Sequence, residues 1–372
     1  MVEEMVSASE LRLLSKLITK NYKSLADFEM DFGKFNVLIG PNNTGKSNIL
    51  DCLSFLSETM DMDLGAVIRK RGGYDHIVFG GKEEKEVRMN IVASIDSKEF
   101  NYEISFWKKG IIEERLTLKG KEEERVILEG TEGKGKYLDE VKGKEEEYSY
   151  GTATSAFRYL RDTKRTPTVM KFYEYAKNWR FYSFVPATMR TALPVERRIV
   201  VDRSGEWLAQ VLHTILSDRS PFYDEIEDVL KIAIKEIERL LSPLTEDKRT
   251  YVAIKEKYFE RPFDYIQLSD GTLCFLAHLA VLFNPNPPSL VCFEEPENHI
   301  HPSLFEFLVK ICKRAETQVI ISTHAPRLVD WVESGDIKWM EKEEGMTKLR
   351  ALDKEKLKKA LEEEVPLGEL LF

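Results

Sequence analysis

Apolar and polar positions follow several rhythms along this 372-residue chain. From residue 13, "LLSKLITKNYKSLADFEMDFGKFNVLI" reads as short strands joined by turns, with "FNVLI" as the last. The period then changes. "SNILDCLSFLSETM", from Ser47, repeats its apolar residues at helical spacing and predicts a helix. From Val87 to about Tyr148 the pattern alternates, in "VRMNIVASID", "FNYEISFWKKG", "IIEERLTLKG" and "ERVILEG", which predicts an antiparallel meander. The runs "KEEK", "KEEER" and "KGKEEE" are expected at its turns. Between roughly 153 and 242 the spacing is helical again, and "GEWLAQVLHTILSD" and "FYDEIEDVLKIAIKEIERLLS" each carry one apolar face. "YVAIKEKYF" restores a strand pattern. It is followed by a helix, "GTLCFLAHLAVLF", and by two unbroken apolar strands, "SLVCFEE" and "TQVIISTH". Such strands alternating with helices indicate a parallel sheet covered on both faces. There is no internal repeat and no long low-complexity linker. The expected organisation is an α/β lobe with the meander over 1–150, a helical insertion over 151–245, and a second α/β lobe over 246–372.

Composition narrows the class. A chain with 42% hydrophobic and 32% charged residues is globular with a well-solvated surface. Its net charge of -9 excludes a generic polyanion binder, so any nucleic-acid contact needs a local basic patch. The longest apolar run, "LCFLAHLAVLF", falls well short of the roughly 20 residues that span a bilayer. The acidic start "MVEEMVSASE" is unlike a secretory signal, so a cytoplasmic location is expected. Cys52, Cys274, Cys292 and Cys312 lack zinc or redox spacing and read as small buried hydrophobes. Gln210, Gln267 and Gln318 are the only glutamines beside abundant Glu and Lys, a bias typical of proteins from very hot environments.

Four short motifs carry chemistry. Gly40-x-x-x-x-Gly45-Lys46-Ser47, inside "GPNNTGKSN", fits the Walker A pattern at every fixed position. Its glycines let backbone N–H groups wrap phosphates, Lys46 neutralises the β and γ charges, and the Ser47 hydroxyl faces magnesium. Asn42, Asn43, Thr44 and Asn48 complete this ATP-binding stretch. "LVCFEEPE" ends a buried strand in adjacent carboxylates, with Glu294 suited to the magnesium water shell and Glu295 to polarising the attacking water. "LSDGT" places Ser269 and Gly271 at the start of a helix, where hydroxyl and free N–H groups make a second anion site. "VIISTHAP" ends another buried strand in Thr323 and His324, and a histidine there can sense the γ-phosphate.

In this order the motifs resemble the ABC-type ATPase heads of the RecF, SMC and OLD group. The likeness is greatest to stand-alone ATPases with "GPNxxGKSN", "LSDGT", "DEPE-x-x-x-HP" and "STHxP" motifs. "NYKS", "GEWLAQVL" and the tail "LGELLF" extend it over nearly the whole chain. The resemblance implies an α/β P-loop head with a mixed or parallel core sheet, an antiparallel β subdomain and a helical insertion. It further implies a homodimer that holds ATP and Mg2+ between Walker A of one copy and the Ser269–Gly271 turn of the other. Asn42 then lies near the γ-phosphate, and Lys46, Glu295 and His324 carry a slow hydrolysis. Three departures matter. Glu294 replaces the family aspartate, Thr272 replaces the signature glutamine, and no glutamine lies between Lys46 and Gln210, leaving His76 as a stand-in.

A transporter motor is disfavoured by the incomplete signature turn, and a long-armed SMC machine by the lack of heptads. An OLD-type nuclease is expected to continue past His324 into a metal-binding domain, so an effector or nuclease is expected as a separate chain. One segment favours nucleic acid. Residues 157–203 hold eleven Lys/Arg against four Asp/Glu, a local +7, interleaved with Phe157, Tyr159, Phe172, Tyr173, Tyr175, Trp179, Phe181 and Tyr182. Such a surface suits backbone tracking and base stacking, whereas rings at helical spacing also fit a core. The expected function is an ATP-dependent dimerising switch on DNA or a partner protein, in repair or defence, without a membrane role. The alternative is a regulatory or transport-type ATPase subunit with no nucleic-acid role.

Overall fold

Alternation over 87–148 requires a sheet with one buried face, and that sheet is the largest element of the chain. The structure, a computed structural model, describes residues 12–120, 124–162 and 164–351. The "LGELLF" tail and part of "KEEER" lie outside them. The described residues divide into two units, one of 12–34, 40–179 and 338–351, the other of 35–39 and 180–337.

In the first unit, β1 (Leu13–Tyr22) and β2 (Leu25–Asp31) precede β3 (Phe35–Ile39), which belongs to the second unit. The meander follows as β4 (Val87–Ile95), β5 (Lys98–Trp107), β6 (Gly110–Lys119), β7 (Glu124–Thr131), β8 (Lys134–Asp139) and β9 (Lys144–Ser149). The sheet order is β2-β1-β4-β5-β6-β7-β8-β9, antiparallel throughout. Every second residue of β4, from Val87 to Ile95, is buried. On β5 of this sheet, Phe157 packs against Tyr102 and Phe172 against Phe100. "KEEK" forms a turn as expected, but most of "KGKEEE" does not: Glu145, Glu146 and Glu147 lie in β9. That strand is the sheet's edge, where charge discourages pairing with another chain.

In the second unit, strands Leu290–Glu294, Gln318–Ser322 and β3 run parallel in that order. All residues of the last two are buried, as the unbroken apolar runs require. The helix Asp270–Leu282 is apolar all round and buried from Leu273 onward. One helical expectation is corrected. "FYDEIEDVLKIAIKEIERLLS" breaks into the helix Pro221–Ala233 and the strand Ile237–Leu241, which pairs antiparallel with Ala253–Glu256. Side chains of the helix satisfy the strand: Glu227 accepts from Leu240 N at 2.8 Å, and Tyr223 donates to Leu240 O at 3.0 Å. No described helix is long and apolar enough to cross a membrane.

Candidate functional site

Within the first unit the glycine loop is held in shape by its own lysine. Lys46, at the start of the helix Lys46–Thr59, is buried and donates to Gly40 O at 2.7 Å and Pro41 O at 3.0 Å. Thr44 donates to Pro41 O at 2.9 Å. Gly45 adopts φ +100°, and a Cβ there would stand 2.1 Å from Thr347 Oγ1 and 2.6 Å from Ser24 Oγ, so only glycine fits. Thr347, on the hairpin of Ile337–Glu343 and Met346–Arg350, donates to Thr44 O at 2.7 Å and bonds Ser24 Oγ at 2.7 Å. Asn48 donates to the same serine at 2.7 Å. Asn43 is left-handed at φ 67°, and its Oδ1 accepts from Lys342 at 3.2 Å. Asn42 and Ser47 are exposed at the loop surface. His76 lies on the four-residue helix Tyr74–Ile77, its ring 3.7 Å from Asp75.

In the second unit the parallel register aligns Glu294 with Ser322 and Ser322 with Leu38. The acidic pair, the Thr323–His324 turn and the end of β3 therefore share the carboxyl edge, where α/β sheets bind ligands. Glu295 has φ 47°, in the left-handed region, which turns the chain sharply as it leaves the strand. Its backbone N–H donates to Ser322 O at 2.8 Å, one carboxylate oxygen is 3.3 Å from His324 Nε2, and the other accepts from Asn298 at 2.8 Å. Glu294 lies 3.6 Å from the Arg203 guanidinium. Glu297, quoted in "EEPE" but given no role from sequence, accepts from Thr323 Oγ1 at 2.6 Å and from His324 N at 2.9 Å. Its second oxygen is buried and has no partner among the described residues.

Ser269 caps the helix Asp270–Leu282, accepting from Thr272 N at 3.0 Å. A Cβ on Gly271 would stand 2.7 Å from His299 O, so any side chain there would force the backbone apart. A polar cavity of about 490 Å³ opens over this turn, lined by Ser269, Gly271, His299, His301 and Ser303 among others. The loop leaving Glu295 thus reaches the capped turn within four residues.

The basic, aromatic segment looks different in place. Phe157, Phe172, Tyr173, Tyr175, Trp179 and Tyr182 are buried, so these six rings are core and not stacking platforms, whereas Phe181 is half-buried and Tyr159 is exposed and stacks on Tyr150. Arg158 pairs with Asp63, Arg161 with Asp61, Arg165 with Asp139, Lys171 with Asp96, Arg197 with Asp218 and Arg198 with Glu196. All four cysteines are buried thiols.

The family described as "AAA domain, putative AbiEii toxin, Type IV TA system" matches residues 35–330. An ATP/GTP phosphatase of Helicobacter pylori is 20% identical over 339 residues, 86% of this chain and 87% of that protein. Among solved structures, an Smc head bound to the C-winged helix domain of ScpA superposes with a TM-score of 0.60 at 15% identity, covering 92% of this chain and 99% of that one. An Smc head with an extended coiled coil, bound to the C-terminal domain of ScpA from Pyrococcus furiosus, gives 0.55 at 15% identity, covering 95% and 99%. The fold is that of an SMC-type P-loop ATPase head.

Proposed function

Since the chain belongs to that AAA-domain family and is an ATPase, we propose that it works as an ATP-driven switch whose two copies close around ATP and part after hydrolysis. The observation that carries hydrolysis is the Glu295–His324 pair at 3.3 Å. Glu295 is poised to orient and polarise water, and His324 to bond the γ-phosphate, since positioning and charge stabilisation do most of the work in phosphoryl transfer. Lys46 neutralises the β- and γ-phosphates, the N–H groups of 42–48 wrap them, and Asn42 lies beside the γ-phosphate. The donors Ser47 and Glu294 are hard oxygens that suit magnesium, and the extra methylene of Glu294 favours contact through water. Bound there, the metal would neutralise charge on the phosphates. Ser269 and Gly271 serve the ATP of the opposite copy, through the capped helix start that faces the polar cavity.

The closed dimer acts on a separate partner protein or on DNA, in repair or defence. Burial of six of the eight rings in 157–182 supports the partner protein. So does the Smc head, which was solved with a domain of ScpA bound. The test is Glu295→Gln, which should bind ATP, slow hydrolysis and accumulate as a dimer in sedimentation at saturating MgATP. A variant that stays monomeric rules out closure around ATP. Ser269→Arg should abolish closure while Lys46-dependent ATP binding persists.

A further inference from the structure

The turn that opens the helix Asp270–Leu282 is held from a distance. Arg190 directly follows the four-residue helix Pro186–Met189, and its side chain is three-quarters buried. One guanidinium nitrogen donates to Tyr265 O at 2.8 Å and Ile266 O at 2.9 Å, and the other to Leu268 O at 2.5 Å and Asp270 Oδ1 at 2.6 Å. A single planar fork therefore ties three carbonyls of the loop that ends in Ser269 to the first residue of the helix. Only arginine has the donors and the geometry for this, since a lysine ammonium is a point charge with three protons.

The charge matters as much as the shape. Asp270 is the first residue of the helix, where the positive end of the dipole favours a carboxylate. That same position is where a phosphate would approach Ser269 and the free N–H groups, so an unanswered carboxylate would repel it. Arg190 answers one Asp270 oxygen, and the His299 ring stands 3.8 Å from the other.

We propose that Arg190 is the positioning residue of the second anion site. It locks the 265–269 loop and neutralises Asp270, so that the Ser269 turn can accept the γ-phosphate held by the opposite copy. This rests on the reading of Ser269 and Gly271 as half of a shared ATP site. Arg190 takes no part in the nucleotide binding of its own copy's Walker A loop.

The experiment compares Arg190→Ala, Arg190→Lys, the double variant Arg190→Ala/Asp270→Asn, and Ser269→Arg for three quantities: affinity for a fluorescent ATP analogue, turnover number and melting temperature. Arg190→Ala should bind the analogue like the wild type and turn over about tenfold more slowly or worse, the scale expected when a positioning contact is lost. Arg190→Lys should fall between the two, and removing the Asp270 charge should recover part of the loss. Normal turnover in Arg190→Ala beside a dead Ser269→Arg overturns the inference and leaves the shared site standing. Normal turnover in both overturns the shared site and the inference with it. A parallel fall in analogue affinity, turnover and melting temperature also overturns it, since the role would then be structural only.

Discussion

At the scale of single residues, the parts of the site that lie within one short motif were legible, and those supplied from elsewhere in the chain were not. Gly45 had to be glycine by the Walker A spacing alone, and the structure adds only the reason, a Cβ colliding with Thr347 and Ser24. Thr347 carries no signal in sequence, because a threonine about three hundred residues away becomes meaningful only when its hairpin folds back. Arg190 was counted with a basic surface, since composition cannot distinguish a guanidinium facing solvent from one facing carbonyls. Glu297 sat in plain view in "EEPE" but attracted no role, as a third acid beside two catalytic candidates. Its Oε1 fixes both the Thr323 hydroxyl and the His324 N–H, and Thr323 is fully buried. Glu297→Ala therefore leaves buried donors unpaired, at a cost of about 1–3 kcal/mol, and frees the turn that aims His324. We expect turnover to drop at least about tenfold with ATP affinity nearly unchanged. Glu297→Gln, which retains an acceptor, should recover much of the rate. Steady-state kinetics beside analogue binding decides this, and an equal loss in both variants would point to the negative charge and away from positioning.

At the scale of elements, periodicity located the meander, the Walker helix and the parallel strands to within a few residues, because each buries a face of its own period. It failed after Ala233, where the helical pattern continued but the backbone of Leu240 found partners in Glu227 and Tyr223 and paired as a strand. It also passed over His278, hidden in the apolar helix "TLCFLAHLAVLF". His278 is fully buried between Phe184 and Phe293, with Nδ1–H donating to Cys274 O at 2.7 Å. Burial pushes its pKa down from 6.5 to about 4, partly offset by that carbonyl. The sign follows from proton counting. Between those values the unfolded chain binds a proton that the folded chain refuses, so stability falls as pH drops below 6.5 and the loss levels off near 4. The full effect is on the order of 3 kcal/mol. Urea unfolding of the wild type at pH 7.5 and pH 4.5 should show this loss, and His278→Leu should show correspondingly less. An identical pH dependence in both proteins would remove His278 as its source.

At the scale of the whole molecule, the question is what the ATPase acts on, and charge placement bears on it more than charge total. The chain carries -9 overall, and the +7 of residues 157–203 suggested a nucleic-acid surface from sequence. In the structure much of that excess is engaged in ion pairs within the chain, as where Arg161 holds Asp61 and Arg165 holds Asp139 with two bonds. Lys164, between them, is exposed and has no ion pair among the described residues. These three cations therefore behave differently under charge reversal. Arg161→Glu and Arg165→Glu each set a new carboxylate against an old one and should lower the melting temperature. Lys164→Glu should leave stability within about 0.5 kcal/mol of wild type. With six of the eight rings buried and only Tyr159 exposed, base stacking has little platform, and affinity that comes mainly from phosphate contacts is quickly screened by salt. The ATP-trapped Glu295→Gln dimer should accordingly fail to retain duplex DNA in gel shifts at about 0.15 M salt, where the Debye length is about 8 Å, and a partner protein then becomes the target to seek. Retention at that salt, with a steep log-affinity slope that Lys164→Glu shortens by about one unit, would place DNA back at the centre of the function.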